Sequence, residues 1–93
     1  MSQATSIPTH PRHRTDLIRK DLRGQTFLYD PRVEVVHVLN PTAALVWDLC
    51  TGEHTPADME MALRQRFRVA PQHDVAADVQ RTLDTFAARG LLE

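Results

Sequence analysis

Residues 33–50 read VEVVHVLNPTAALVWDLC, and within this stretch the spacing of apolar residues changes from that of a strand to that of a helix. The valine-rich run Val33–Leu39 is typical of a strand. Asn40 and Pro41 then favour a helix start, because the Asn side chain caps free amide groups and proline costs nothing at the first helical position. Apolar residues recur at helical spacing from there to Cys50. The stretch therefore predicts a strand that leads directly into a helix.

Two further strands are predicted upstream, over Asp16–Asp21 and Thr26–Asp30. Gly24 allows a positive φ and Pro31 presets a turn φ, so both segments between the strands are predicted to be tight turns. Strands joined by such short turns form an antiparallel meander.

Two more helices are predicted downstream. Thr55–Asp58 repeats the start signal of a capping residue followed by proline, and Pro71 is expected to open a third helix that Gly90 closes. The core stripe of this helix comprises Val75, Val79, Leu83 and Phe86. The predicted fold is α+β: a small winged-helix-like domain with a three-stranded antiparallel sheet followed by three helices.

The chain has 93 residues, enough for one small domain. Hydrophobic residues make up 42% and charged residues 25%, as in ordinary globular proteins. Residues 1–15 are rich in Ser, Thr and Pro and are predicted to be a flexible N-terminal arm, with the folded domain over 16–93. The net charge of −1 does not favour a nucleic-acid partner.

A single cysteine, Cys50, excludes an internal disulfide and suits a reducing compartment. No run of eighteen apolar residues occurs, and the first residues lack the apolar segment of a signal peptide. The sequence therefore predicts a cytoplasmic protein with no membrane partner.

Catalytic and metal sites are not indicated. Cys50 and Trp47 share one helical stripe, so both are interpreted as core residues rather than as a nucleophile and a stacking platform. The five histidines lack metal-ligand spacing and are predicted to be solvated: His10, His13, His37, His54 and His73. We expect no catalytic residue, no metal and no cofactor, hence no enzyme.

The strand over Val33–Leu39 has apolar residues on both predicted faces, which needs an explanation. Val36 and Val38 are expected to point away from the face that carries Leu39. Either this is a central strand, covered by the arm or by a second copy in a dimer, or it is an adhesive edge that accepts an added peptide strand.

Several short motifs carry a family resemblance. Leu39–Leu49, Gly52–Thr55, Ala77–Val79 and Arg89–Leu92 resemble, in order and spacing, the helix start, the Gly-x-x-Thr turn and the Gly-Leu-Leu ending of the PqqD family. The resemblance covers about residues 16–93. It implies a winged-helix-like recognition element for ribosomally made, post-translationally modified peptides.

In that family the leader segment of a precursor peptide adds as a strand beside the third strand and lies against the third helix. The domain then hands the precursor peptide to a modifying enzyme, often a radical SAM protein, in pyrroloquinoline quinone (PQQ) biosynthesis or another peptide pathway. Carried onto this chain, the resemblance implies peptide-binding residues on the strand and on the helix: Glu34, Val35, Val36, His37, Val38, Val75, Asp78, Thr82 and Thr85. The chain departs from the family pattern at Pro41, where Glu is common, at His37 and Val38, which replace an acidic neighbourhood, and at Thr82, where the family often has an aromatic residue or leucine.

Two rival functions remain open at this stage. Three helices with a small sheet are also the architecture of winged-helix DNA-binding modules, although the third helix carries Asp78 and Asp84 beside only two arginines. The other rival is a structural dimerisation subunit. The sequence leaves both a monomer and a homodimer open.

Overall fold

The three predicted strands form one antiparallel sheet in this computed structural model, which describes residues 9–93. The strands are β1 (Ile18–Leu22), β2 (Gln25–Asp30) and β3 (Val35–Leu39), in the spatial order β1-β2-β3. Gly24, with a φ of 80°, lies in the tight turn between β1 and β2, a backbone conformation that glycine adopts without steric cost. The predicted meander is confirmed.

The first and third strands begin two residues later than predicted. Asp16 precedes β1 and forms an ion pair with Arg14 at 2.7 Å. Val33 and Glu34 belong to the turn before β3, where Glu34 has a φ of 58° and donates its backbone N–H to the Asp30 carbonyl at 2.8 Å. A left-handed residue does not continue an extended strand, so pairing starts at Val35.

The two faces of the sheet differ, as the alternation of β3 predicts. Val36 and Val38 are exposed on the outer face, whereas Leu39 is buried on the inner face. His37 shares the inner face with Leu39 and is only 9% exposed. The prediction of a solvated His37 is therefore wrong, because the two-residue period of a strand places residue 37 on the same side as residue 39.

Three helices follow the sheet: α1 (Pro41–Leu49), α2 (Pro56–Arg66) and α3 (Val75–Ala88). The Asn40 side chain caps α1, and Thr55 caps α2 in a capping box, as the start signals predicted. The third helix begins at Val75 and not at Pro71, because the Asp74 side chain accepts a hydrogen bond from the Ala77 amide and sets the start. The predicted order of three strands and three helices, an α+β domain, is confirmed.

The core lies between the inner face of the sheet and the three helices. Trp47 of α1 is buried at its centre and meets Phe86 of α3 edge to face, with ring centroids 5.4 Å apart. Cys50 is fully buried, and burial raises the pKa of its thiol to about 12. The interpretation of both residues as core residues is confirmed.

Residues 11–14 pair with the end of α1 and with the C-terminal residues. The His13 amide donates to the Cys50 carbonyl at 2.9 Å, and the Glu93 amide donates to the Arg12 carbonyl at 2.8 Å. The His13 ring stacks on Trp47 with centroids 4.2 Å apart, so the prediction of a solvated His13 is wrong. The predicted arm also includes residues 1–8, which lie outside the described residues, and its boundary at residue 15 stays a prediction.

No helix in the described part of the chain is both long and apolar enough to cross a membrane. Within residues 9–93, no three His, Cys, Asp or Glu side chains lie together in a way that would hold a metal ion.

Candidate functional site

The third strand is an edge of the sheet, since β2 is its only neighbour among the described strands. It contains no Asp, Glu, Lys or Arg, and its one histidine, His37, faces inward. The other edge, β1, carries Arg19, Lys20 and Asp21 along its length. Charged side chains protect an edge strand from pairing with another chain. Of the two edges, β3 is therefore the one that is open to an added strand.

A groove of about 840 Å³ is lined by residues of α1, α2 and α3 and of the loop that connects α2 to α3. Its apolar walls come from all three helices and from this loop: Val46, Leu63, Phe67, Val69, Ala70 and Val75. Thr42, in the first turn of α1, also lines the groove and lies three residues after the last residue of β3. The groove therefore approaches the C-terminal end of the edge strand.

The four helix residues that the sequence predicted all line this groove: Val75, Asp78, Thr82 and Thr85. They recur every three or four residues along α3 and so share one face of the helix. Val75 is buried in the wall, and the Thr82 hydroxyl donates to the Asp78 carbonyl at 2.9 Å. Their contact with a peptide stays a prediction.

The five predicted strand residues lie along the edge strand and its preceding turn. Glu34 occupies the turn, and Val35, Val36 and Val38 are exposed on β3. The His37 side chain points into the protein, so this residue offers the edge only its backbone groups. Their role in peptide binding also stays a prediction.

The carboxylate of Asp78 is the best-connected polar group of the groove. It is bound by the Arg81 guanidinium and by the imidazole of His73. The carbonyl of His73 in turn accepts a hydrogen bond from Arg64 at 2.8 Å, which ties the α2–α3 loop to α2. His73 is thus held to α2 by its carbonyl and to α3 by its ring.

Sequence reasoning missed more than half of the groove. Arg68, Val69 and Ala70 lie in a loop, where no helical or strand period marks them as part of a site. Thr42 and Val46 belong to a helix predicted only as a core element. Arg68 stands close to Arg64 and Arg66 in the sequence, so nothing local distinguishes it from these two as a residue of the groove.

A family model described as coenzyme PQQ synthesis protein D (PqqD) matches residues 25–92. The match spans β2, the edge strand and all three helices. The chain belongs to the PqqD family. None of the curated proteins matches this PqqD family member.

Solved structures share the fold of this PqqD domain. Lasso peptide synthetase B1, complexed with the leader peptide, has a TM-score of 0.75 at 24% identity over 90% of this chain and 98% of that one. TbiB1, in complex with the TbiA(beta) leader peptide, has a TM-score of 0.72 at 18% identity over 88% and 94% of the two chains. At these identities the likeness establishes the fold.

Proposed function

We propose that this PqqD domain is a non-catalytic adaptor, which binds the leader segment of a ribosomally made precursor peptide by strand addition at β3 and presents it to a modifying enzyme. The observation that carries the proposal is an uncharged, exposed edge strand whose end adjoins a groove along α3. Both structural relatives described above were solved with a leader peptide, which supports a peptide as the occupant.

Strand addition uses the groups that β3 leaves exposed. Main-chain hydrogen bonds to the edge supply affinity without regard to sequence, and side-chain pockets supply selectivity. Side chains of the added strand would alternate between two directions. One set would lie beside Val36 and Val38 on the outer face, and the other set would point towards the groove side of the domain.

A catalytic role has little to support it among the described residues. Cys50, the only thiol of the chain, is fully buried, and the raised pKa of its thiol keeps it protonated near neutral pH. Chemistry on the precursor peptide is therefore assigned to a partner enzyme, such as a radical SAM protein. The proposed setting is the cytoplasm, where an unpaired cysteine is usual.

Duplex DNA fits the third helix as a whole poorly, because Val75–Ala88 contains two aspartates and one arginine. Asp78 and Asp84 give this helix two negative charges, and Arg81 is already bound to Asp78. DNA phosphates are bound by clustered free cations.

The Val36→Asp variant tests the edge. Val36 is 55% exposed on the outer face, so an aspartate there should leave the fold intact. It would place a charge beside the added strand, and we expect the affinity for the leader segment to fall at least about tenfold, equivalent to about 1.4 kcal/mol. The probes are synthetic N-terminal segments of the short peptides encoded in the genomic neighbourhood of this chain, and binding is measured by fluorescence anisotropy.

Ile18→Asp is the matched control, because Ile18 is equally exposed but lies on β1, the opposite edge. This variant should bind the leader segment within about twofold of the unmodified chain. A folded Val36→Asp protein with unchanged affinity, or an equal loss in both variants, would rule out strand addition at β3.

A further inference from the structure

The groove along α3 has two chemically different parts. Its walls are apolar, with Val46, Leu63 and Phe67 from α1 and the end of α2. Two arginine side chains, Arg68 from the loop and Arg81 from α3, also line it and are exposed to solvent. Arg68 and Arg81 together are called the cationic margin of the groove. A ligand that fills the groove therefore contacts both its apolar wall and this cationic margin.

The positive charge of this margin contrasts with the rest of the domain. Residues 33–93 contain five arginines, no lysine and nine Asp or Glu residues, so this region is acidic. Two of the five arginines line the groove, against one acidic residue, Asp78. With neutral histidine the lining has a net charge of +1 within a region of −4, which favours an anionic occupant.

The one acidic group of the lining does not offset this preference for a ligand. Asp78 already accepts a hydrogen bond from Arg81 and is bound by His73. A cation on a peptide would have to share this carboxylate with both partners. Arg68, in contrast, makes no ion pair within residues 9–93, and Arg81 keeps guanidinium N–H groups beyond the one that binds Asp78.

We infer that the groove selects leader segments with an apolar side chain for its wall and an aspartate or glutamate for Arg68 and Arg81. This inference rests on the proposed function and specifies its substrate class. In an extended peptide, side chains on the same side are separated by an even number of positions. The apolar residue and the carboxylate of the leader are therefore an even number of residues apart.

Selection from random dodecapeptides displayed on phage tests this preference with the full-length chain. We expect the enriched peptides to share an apolar residue and an Asp or Glu at an even separation. Replacing that carboxylate by its amide in a synthetic copy should weaken binding about fivefold, the upper range for a partly exposed ion pair. The same replacement should change binding to the Arg68→Gln/Arg81→Gln variant less than about twofold.

Reversal of charge gives the sharper comparison. Arg68→Glu/Arg81→Glu should enrich peptides with Lys or Arg at the same position, whereas Arg66→Glu should keep the acidic preference. Arg66→Glu is the control, because it introduces the same change of charge per residue at the end of α2, and Arg66 does not line the groove. Because Arg81 also binds Asp78, circular dichroism checks the fold of the double variant, and the single Arg68→Glu variant should by itself weaken the acidic preference.

The outcomes separate this inference from the proposed function. Enriched peptides without a shared carboxylate, or an acidic preference unchanged in both the Arg68→Glu and the double variant, would overturn the charge selection alone. Acidic peptides that bind Val36→Asp as tightly as the unmodified chain would instead overturn strand addition. Absence of any enriched peptide would overturn both.

Discussion

Arg14 connects three parts of the fold through a single guanidinium group. It binds both carboxylate oxygens of Asp30 at the end of β2, at 2.8 and 3.2 Å, and it also binds Asp16. A further bond of 3.1 Å reaches the carbonyl of Gly90 after α3. The side chain of Asp30 is only 5% exposed, so this planar, bidentate contact satisfies a carboxylate that has little access to water.

Arg14→Met tests this contact. The substitution keeps much of the aliphatic length but leaves the Asp30 carboxylate without its guanidinium partner, which is destabilising for an enclosed charge. We expect a clearly lower midpoint of urea denaturation at neutral pH. Arg32→Met is the control, because the Arg32 side chain is 71% exposed and lies 3.9 Å from Asp16; its effect should be within about 0.5 kcal/mol.

The same contact carries a pH dependence of known sign. Hydrogen bonds from Arg14 hold the pKa of Asp30 and of Asp16 below the ordinary value. Their stabilisation is therefore complete above the unfolded pKa of about 3.9 and is lost as the pH falls through the lower folded pKa. The difference in midpoint between the unmodified chain and Arg14→Met should shrink between about pH 5 and about pH 2. A difference that is absent at neutral pH, or that grows in acid, would contradict this role of Arg14.

At the scale of elements, β3 is the strand whose properties matter most. Its register with β2 places Tyr29 opposite Val36 and Phe27 opposite Val38, so aromatic and β-branched side chains support each other on the outer face. This pairing holds β3 in place without using its outer backbone edge. The strand is therefore firmly attached on one side and available on the other.

Hydrogen exchange tests which side of β3 a peptide occupies. Successive amides of a strand point to opposite edges, so β2 protects one set and an added strand would protect the other. On binding of the leader segment, alternate amides of Val35–Leu39 should become protected, while those of Ile18–Leu22 should not change. Protection that is unaltered in β3, or that appears along β1 instead, would exclude the proposed geometry.

The start of α3 shows how two local signals compete. Pro71 is a good first helical residue, but Asp74 supplies a side-chain oxygen to the Ala77 amide at 3.0 Å and caps the helix. Residues 68–74 are thereby left as a loop, and Arg68, Val69, Ala70 and His73 from this loop line the groove. A helix that began at Pro71 would instead include His73 in its first turn and shorten the loop that lines the groove.

At the scale of the whole molecule, residues 11–14 lie between the end of α1 and the end of the chain. Arg14 donates its amide to the Leu91 carbonyl at 2.9 Å, and Gly52 donates to the Pro11 carbonyl at 3.0 Å. Pro11 is buried, and the Arg12 side chain fills the space beside Gly52 that a Cβ atom would need. Residues 11–14 therefore cover the side of the core at which Trp47 lies.

Truncation tests the contribution of this segment to the whole fold. A chain that begins at Asp16 should unfold at a clearly lower urea concentration than a chain that begins at Thr9, because it loses the His13 stack and the Arg14 contacts. Both chains lack residues 1–8, so the difference reports on residues 9–15 alone. Equal midpoints would place the boundary of the folded domain at residue 16, as the sequence predicts.

Local sequence information was sufficient for the elements and for the α3 face of the site. Capping residues and apolar periods act over four or five neighbouring positions, which is why α1, α2 and the meander are as predicted. The same periodicity places Val75, Asp78, Thr82 and Thr85 on one face of α3. The motifs that indicated the PqqD family are also short and contiguous, and the family assignment is confirmed.

Contacts between distant parts of the chain were decided by the tertiary structure alone. His37 is buried because the sheet packs its inner face on the helices, and His13 is half-buried because residues 11–14 reach Trp47. The groove brings together Thr42 of α1, Arg68 of the loop and Arg81 of α3, which no local period relates. Periodicity specifies which residues share one face of a helix or strand. Which other element that face contacts depends on how the helices and the sheet pack together.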